Sequence, residues 1–517
     1  MKNDLKFLFV LIAAILFPAT ALADVRLPDI IGNSMVLQQK QNVPIFGFAD
    51  AGEAVTVTFG KQKKTVVADG NGKWRVDLKN LEASFTPQSL TISGKNKIEL
   101  KDILVGEVWL VAGQSNMQRL LRETANGAEV QAAANHPNIR LFNASRDVAF
   151  KKKQGKLGEW QACTPESVAE FSAAGYYFGV EMENRLKVPM GLINSSYGGS
   201  QAEAWTPVSY LAANPDLKPT VDRTAIWAAE RPKVKVEYAE AIKKWREDSE
   251  KAKESGAKPS PSPSVPDALR DYRVASSIYD GMIEPLMPFA IKGAIWYQGE
   301  SNEDRAEQYN ILLPTMIRAW RERWDEGNFP FGIVQLPNYR KPSDEPQDAA
   351  WSFIREAQRR TAMNMLHTGL IVTIDIGEAN DIHPKNKLDV GKRMAIWALK
   401  DVYGRKLSDS PDFQKMEIKG DKVILTFDDV GSGLKIKTGD KLDEFAIADA
   451  DKKFVWANAK IIGKNKVEVS SPDVKNPLAV RYAFNNNPRN PNLTNDSGLP
   501  AAPFRTDDWS DPTAGKR

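Results

Sequence analysis

The chain has 517 residues, 42% hydrophobic and 26% charged, a globular composition longer than one hydrophobic core usually organises, so two to four domains are expected. A net charge of +4 with no concentrated basic stripe argues against a nucleic-acid partner. The single cysteine, Cys163, excludes an internal disulfide; the fold must hold by burial, with Cys163 as a small buried apolar residue.

Lys2 and Lys6 precede an apolar run from Phe7 to Phe17, and the stretch ends on Ala21-Leu22-Ala23, the small-x-small pattern cut by a signal peptidase. The run is too short for a membrane anchor. Residues 1–23 are therefore expected to be a signal peptide that exports the chain to the periplasm or medium. Residues 24–102 carry β signals. Val55-Thr56-Val57-Thr58-Phe59 alternates, and Thr65 to Ala68 and Lys73 to Leu78 flank the turn sequence Asp69-Gly70-Asn71-Gly72, which implies a small sandwich or jelly-roll module.

From Ile103 to about residue 405, apolar strands alternate with amphipathic helices, the pattern of an α/β domain whose parallel sheet is covered on both faces. Strands are expected at Glu107 to Ala112, Ile139 to Asn143, Met190 to Ser195, Ile291 to Tyr297, Phe331 to Gln335 and Gly369 to Asp375. Helices are expected at Ala174 to Leu186, Ala306 to Trp324, Trp351 to Met365 and Lys387 to Tyr403. An insertion at about 211–274 interrupts the pattern: Val234, Tyr238, Ile242 and Trp245 predict a charged helix from Lys233 to Glu254, and the Pro- and Ser-rich run Gly256 to Pro266 cannot be helical. Beyond residue 405 the β signature returns (Val423, Leu425 and Phe427, then Phe445 and Ile447, then Val467 and Val469), with a loop-like tail that Phe504 and Trp509 are expected to pin back.

Four polar clusters follow strand ends, the edge at which open α/β sheets bind ligands. The first is Gly113-Gln114-Ser115-Asn116-Met117, which makes Ser115 the nucleophile candidate. Met117 stands where a nucleophile elbow needs its second glycine, so an ordinary α/β-hydrolase is disfavoured. A serine needs a base to take its proton, and of His136, His367 and His383 only His383 lies in a loop after the last strand. Asp381 is the first choice to orient that imidazole, Asp375 and Glu378 are weaker, and Glu300 is a rival because it too follows a strand end. A metal site of Asp375, Glu378, Asp381 and His383 is the lesser alternative, since it would leave the serine idle. Gly198-Gly199 and the amides of Gln298 and Asn302 are candidate donors to a developing oxyanion.

Gly113 to Met117, Trp296-Tyr297-Gln298-Gly299-Glu300-Ser301-Asn302 and Asp381-Ile382-His383-Pro384, in this order, resemble the SGNH-type carbohydrate esterases, most closely the sialate O-acetylesterase family. The similarity also takes in Tyr279-Asp280-Gly281-Met282-Ile283 and Pro503 to Trp509. The resemblance implies a flavodoxin-like catalytic domain that removes acetyl groups from sugar hydroxyls, without metal or other cofactor. It also implies Ser115 as nucleophile, His383 as base, and an oxyanion hole from the Ser115 N–H, a glycine of the 198–199 pair and an amide of the 298–302 segment. Two departures stand out. The SGNH pattern has aspartate three residues before histidine, where this chain has Asn380, and related esterases assign the glutamate of Gln-Gly-Glu as the third member, here Glu300. Gln118 and Arg119 follow the serine motif where many relatives carry glutamate.

The expected substrate is an O-acetylated sialic acid, with acetylated xylan or xyloglucan as the alternative. A sialic acid carboxylate calls for an arginine, for which Arg119, Arg122, Arg340 and Arg505 all qualify by type. A reading of another class is a non-catalytic glycan binder stacking sugars on Tyr197, Trp205 or Tyr297. Oligomeric state is not legible.

Overall fold

The computed structural model describes residues 24–146, 148 and 156–517; the expected export signal lies outside them. Among the described residues, no helix is long and apolar enough to cross a membrane. The α/β portion contains β1 (Lys97–Gly113), β2 (His136–Asn143), β3 (Trp160–Cys163), α1 (Ala173–Leu186), β4 (Met190–Ser196), α2 (Lys218–Glu254), β5 (Gly293–Tyr297), α3 (Ala306–Trp324), β6 (Phe331–Val334), α4 (Ala350–Asn364), β7 (Thr368–Ile371) and α5 (Lys387–Trp397). The expected strands and helices are present with ends displaced by a few residues, except that β1 begins ten residues before the expected Glu107, at Lys97. The last helix is shorter than expected, passing into a π-helical turn at Ala398–Val402.

The strand order is β7-β6-β5-β1-β4-β2-β3, parallel except for β3, which runs antiparallel to β2. Along β1, Val108, Leu110 and Ala112 enter one core while Trp109 and Val111 enter the core on the opposite face. Burial on both faces is why this strand reads as an unbroken apolar run rather than an alternation. With β4 on one side of β1 and β5, reached later in the chain, on the other, the winding reverses at β1. The crevice beyond its carboxyl end is therefore the place where such a sheet holds a ligand.

The first half of β1 belongs to the N-terminal strands, pairing antiparallel with Ser84–Ser93 and parallel with Val36–Gln38. The boundary expected at residue 102 thus falls inside one uninterrupted strand, and a single core is shared across it. The turn at 69–72 forms, with Asp69 Oδ1 accepting the N–H groups of Asn71 and Lys73 at 2.8 and 2.9 Å. Its flanking strands part, Gln62–Val67 joining Ala54–Phe59 and Lys73–Leu78 joining Val43–Phe48, so the turn is a corner between two sheets.

The insertion helix departs from expectation: α2 is 37 residues long and begins at Lys218, with Pro232 inside it. A proline interrupts the helical hydrogen bonds, but here the turns before it are held by tertiary contacts. Thr220 is buried, Arg223 pairs with buried Glu203 at 3.0 Å, and Thr224 Oγ1 accepts the Ala275 N–H at 3.1 Å. The Pro/Ser run returns along the helix, where Trp245 Nε1 donates to the Ser260 carbonyl.

Two four-stranded antiparallel sheets and a two-stranded one (Leu434–Ile436 with Leu493–Asn495) form the C-terminal module, packed through Val423, Leu425, Phe427, Phe445, Ile447 and Tyr482. The tail is pinned as expected. Phe504 pairs beside Tyr482 and stacks on Phe413 at 4.5 Å, while Trp509 packs against Phe454.

Candidate active site

Gly113 ends β1 at φ 138°, level with Ser196 of β4 and Tyr297 of β5. A Cβ there would lie 2.2 Å from the Tyr297 carbonyl oxygen, so both the backbone angle and the close approach require glycine. Gly113→Ala should therefore cost about 3 kcal/mol or more of stability, combining backbone strain with overpacking. A denaturation midpoint equal to wild type would show that neither constraint operates.

Ser115 opens the short helix Ser115–Gln118, and its Oγ lies 2.8 Å from Nε2 of His383, on the loop between β7 and α5. The sheet thus brings together two side chains 268 positions apart in the chain. A hydroxyl bonded to a partly buried imidazole at a strand-end crevice is chemically equipped for acyl transfer. His383 must be neutral to accept the proton. Burial lowers its pKa below the ordinary histidine value, and Arg119 lowers it further against the opposing charge of Asp381. A base must be deprotonated, so the acid limb of kcat/KM should fall with an inflection below about pH 6.5. Arg119→Ala should move the limb upward, and a wild-type inflection above that value would contradict this electrostatic account.

Asp381 is the carboxylate nearest His383. Its Oδ1 accepts the His383 backbone N–H at 2.8 Å and lies 3.8 Å from Nδ1. That second distance is too long for a hydrogen bond, so Asp381 shapes the loop and acts on the ring by charge. Glu300 occupies a different place. Its Oε1 accepts from Asn116 Nδ2 at 2.6 Å, while its Oε2 has no partner among the described residues. Asn116 also donates to the Ile382 carbonyl at 2.9 Å and accepts from Lys387 Nζ at 2.7 Å. One amide thereby ties the serine turn, the strand-end segment after β5 and the histidine loop together. Burial raises Glu300 to about 7 and lowers Lys387 to about 7, each opposed by the other's charge.

The expected oxyanion donors divide. Gly198 lies against Ser115, and a Cβ on it would be 3.5 Å from Ser115 Cβ; its N–H is bonded to Gln118 Oε1 at 2.6 Å. Gly199, at φ 73°, faces the ring of Tyr272, which the insertion brings back to stack on Tyr197 at 4.9 Å. Gln298 and Asn302 are turned inward. Gln298 Nε2 donates to the Ser200 carbonyl and to Asn302 Oδ1, and Asn302 Nδ2 donates to Glu203. Glu203 is in turn paired with Arg305 at 2.7 Å and Arg223 at 3.0 Å. Sequence reasoning missed Glu203, Arg305 and Lys387. The signal for Glu203 is an acid in Ala202-Glu203-Ala204-Trp205, directly after a strand-end cluster; nothing local marks Lys387.

The acids weighed as metal ligands are otherwise engaged. Asp375 binds Arg393 at 2.6 Å and Lys437 at 2.8 Å, and Glu378 accepts the Lys385 N–H. No grouping of three or more potential metal ligands occurs among the described residues. His136 bonds Tyr176, and His367 sits at φ 51° just before β7. Trp205 and Tyr297 are fully buried and offer no face to a sugar. Cys163 is buried, and its thiol is pushed up to about 12.

A serine hydroxyl beside an imidazole at the carboxyl rim of a doubly covered sheet suits acyl transfer, and comparisons with known proteins define the class. The model of the carbohydrate esterase, sialic acid-specific acetylesterase family matches residues 105–255 and 267–400, breaking only over the Pro/Ser run. Sialate O-acetylesterase from Homo sapiens is 27% identical over 93% of this chain and 92% of its own length, and that from Pongo abelii 26% over the same shares. The crystal structure of a carbohydrate acetylesterase from Xanthomonas citri superposes with a TM-score of 0.78 at 34% identity, covering 94% of this chain and 100% of that one. The chain belongs to the sialic acid-specific acetylesterase family of carbohydrate esterases.

Proposed function

We propose that this chain is an exported SGNH-type serine esterase that removes O-acetyl groups from sugars, with O-acetylated sialic acids as the favoured substrate. The observation that carries the mechanism is the 2.8 Å contact between Ser115 Oγ and His383 Nε2. His383 takes the hydroxyl proton as Oγ attacks the acetyl carbonyl, then returns it to the departing sugar oxygen, leaving acetyl-Ser115. Water, deprotonated by the same imidazole, releases acetate. The Ser115 N–H, first in its helix and without an intrahelical acceptor, donates to the oxyanion. The Gly198 N–H joins it by leaving Gln118. Asp381 stabilises the imidazolium. Gln298, Asn302 and Glu300 hold the rim in place rather than touching the substrate.

The relatives named as sialate O-acetylesterases support the substrate, and the arginines bear on it. Arg122 is paired with Glu170, Arg340 with Glu303 through two 2.6 Å bonds, and Arg505 with Asp507 and the Trp509 carbonyl. Arg119 follows the serine helix directly; its nearest paired carboxylate, Glu123, is 3.8 Å away, and its Nε has no hydrogen-bond partner among the described residues. Arg119 therefore receives the sialic acid carboxylate. Arg119→Ala should cost about 10- to 100-fold more kcat/KM on acetylated sialic acid than on acetylated xylo-oligosaccharide, the value of a charge-assisted hydrogen bond. Acetate release from those two substrates by the wild-type chain tests the assignment. Preference for the xylo-oligosaccharide, with equal losses in the variant, would favour the plant-polysaccharide alternative. The non-catalytic reading does not survive membership of an esterase family.

A further inference from the structure

Trp456 closes the two-residue edge strand Val455–Trp456 of the C-terminal module and is 39% exposed, unlike the buried tryptophans of the cores. Its Nε1 donates to the Asp344 carbonyl at 2.7 Å, which fixes the ring while leaving part of it to solvent. It lines two clefts at once. One, of about 520 Å³, is lined also by Asp344, Lys441, Asn458, Arg489 and Asn490; the other, of about 590 Å³, includes Gln347, Lys452 and Phe454. The polar groups of the first cleft are set in advance. Glu444 Oε1 accepts the N–H groups of Arg489 and Asn490 at 2.8 and 3.2 Å, Asn490 Nδ2 donates to Asp443 at 2.7 Å, and Asp344 pairs with Arg489.

A held indole beside oriented amides matches a sugar ring, whose C–H face packs on the aromatic while its hydroxyls meet the polar groups. Asp344 is paired with Arg489, and Lys441 lines the cleft together with Asp443 and Glu444, so charges of both signs face its occupant, which we take to be a neutral sugar. The cleft also connects to the catalytic rim. Arg340 N–H donates to the Ala379 carbonyl and Tyr339 is bridged to Glu378, both on the loop that carries His383. Asp344, four residues beyond Arg340, meets Trp456, and Ala379 is four residues from His383, so the path from cleft to rim is two four-residue stretches, at most about 28 Å of extended chain. An oligosaccharide rather than a single sugar covers that span.

We propose that Trp456 and its flanking clefts form a second glycan-binding site, which takes neutral sugars of the chain that bears the acetyl group and anchors it beside the Ser115 rim. The proposal rests on the chain being a carbohydrate esterase, not on the serine mechanism. The test uses the full chain in two arms. In the first, electrophoresis through gels containing xylan, xyloglucan or desialylated mucin should show Ser115→Ala retarded by at least one of them, Ser115→Ala/Trp456→Ala released, and Ser115→Ala/Trp456→Phe still retarded. In the second, Trp456→Ala should lower the ratio of kcat/KM on the acetylated form of the retarding glycan to that on an aryl acetate by about tenfold. Equal retardation of Ser115→Ala with and without Trp456, or retardation by none of the three glycans, overturns the site. A wild-type chain that is retarded yet releases no acetate from the polymer would count against the substrate assignment while leaving the binding site supported.

Discussion

Ser115→Ala is expected to lower kcat for an aryl acetate by on the order of 10⁴- to 10⁶-fold, the range seen when a serine hydrolase loses its nucleophile. The size of the effect follows from the position of Oγ. It sits at the first residue of a helix placed by Gly113 and is 2.8 Å from the His383 imidazole. Folding should be spared, because the change removes one partly exposed oxygen and opens no cavity; the stability change should stay within about 0.5 kcal/mol. A structural role for the serine would give the opposite pattern, with stability lost and turnover retained.

The second large effect separates the two carboxylates. Asp381→Asn keeps an oxygen for the His383 backbone N–H, so the loop should persist, but it removes the negative charge 3.8 Å from Nδ1. A unit charge at that distance near a protein surface acts with about 4 kcal/mol. The loss in kcat should accordingly be about 10²- to 10³-fold, smaller than the loss of about 10⁴ when an aspartate fully bonded to the imidazole becomes an amide. Glu300→Gln retains an acceptor for Asn116 and replaces a carboxyl that burial already holds near 7, so its cost in kcat should be less than about tenfold. Steady-state kinetics of both variants beside their unfolding curves decide the matter. A larger kcat loss for Glu300→Gln at undiminished stability would make Glu300, acting through Asn116, the more important partner.

The elements that position this chemistry were legible where burial imposes a pattern. Strands covered on both faces must be apolar throughout, so β1, β4 and β5 showed themselves, and the strand-end rule then placed Ser115 and His383 on one rim. Contacts between distant residues left weaker traces. The apolar spacing placed the insertion helix from Lys233, yet α2 begins at Lys218 and runs through Pro232, its first turns held by buried Thr220 and by Arg223 paired with Glu203. The compositional change at residue 102 suggested a boundary, yet β1 crosses it because its two halves serve two sheets. Gln298 and Asn302 had the right chemistry for an oxyanion donor, but a motif gives no direction to an amide. Theirs point to Ser200 and Glu203. Lys387 lies on α5 with no periodicity to mark it as buried, and only the fold brings it against Asn116.

The covalent intermediate is the most direct test of the whole account. Wild-type enzyme mixed with a large excess of aryl acetate, quenched in acid within the first turnovers and digested, should yield a peptide containing Ser115 heavier by one acetyl group, and Ser115→Ala should yield none. Acetate released at the wild-type rate by the alanine variant, or an acetyl group found on another residue, would contradict it.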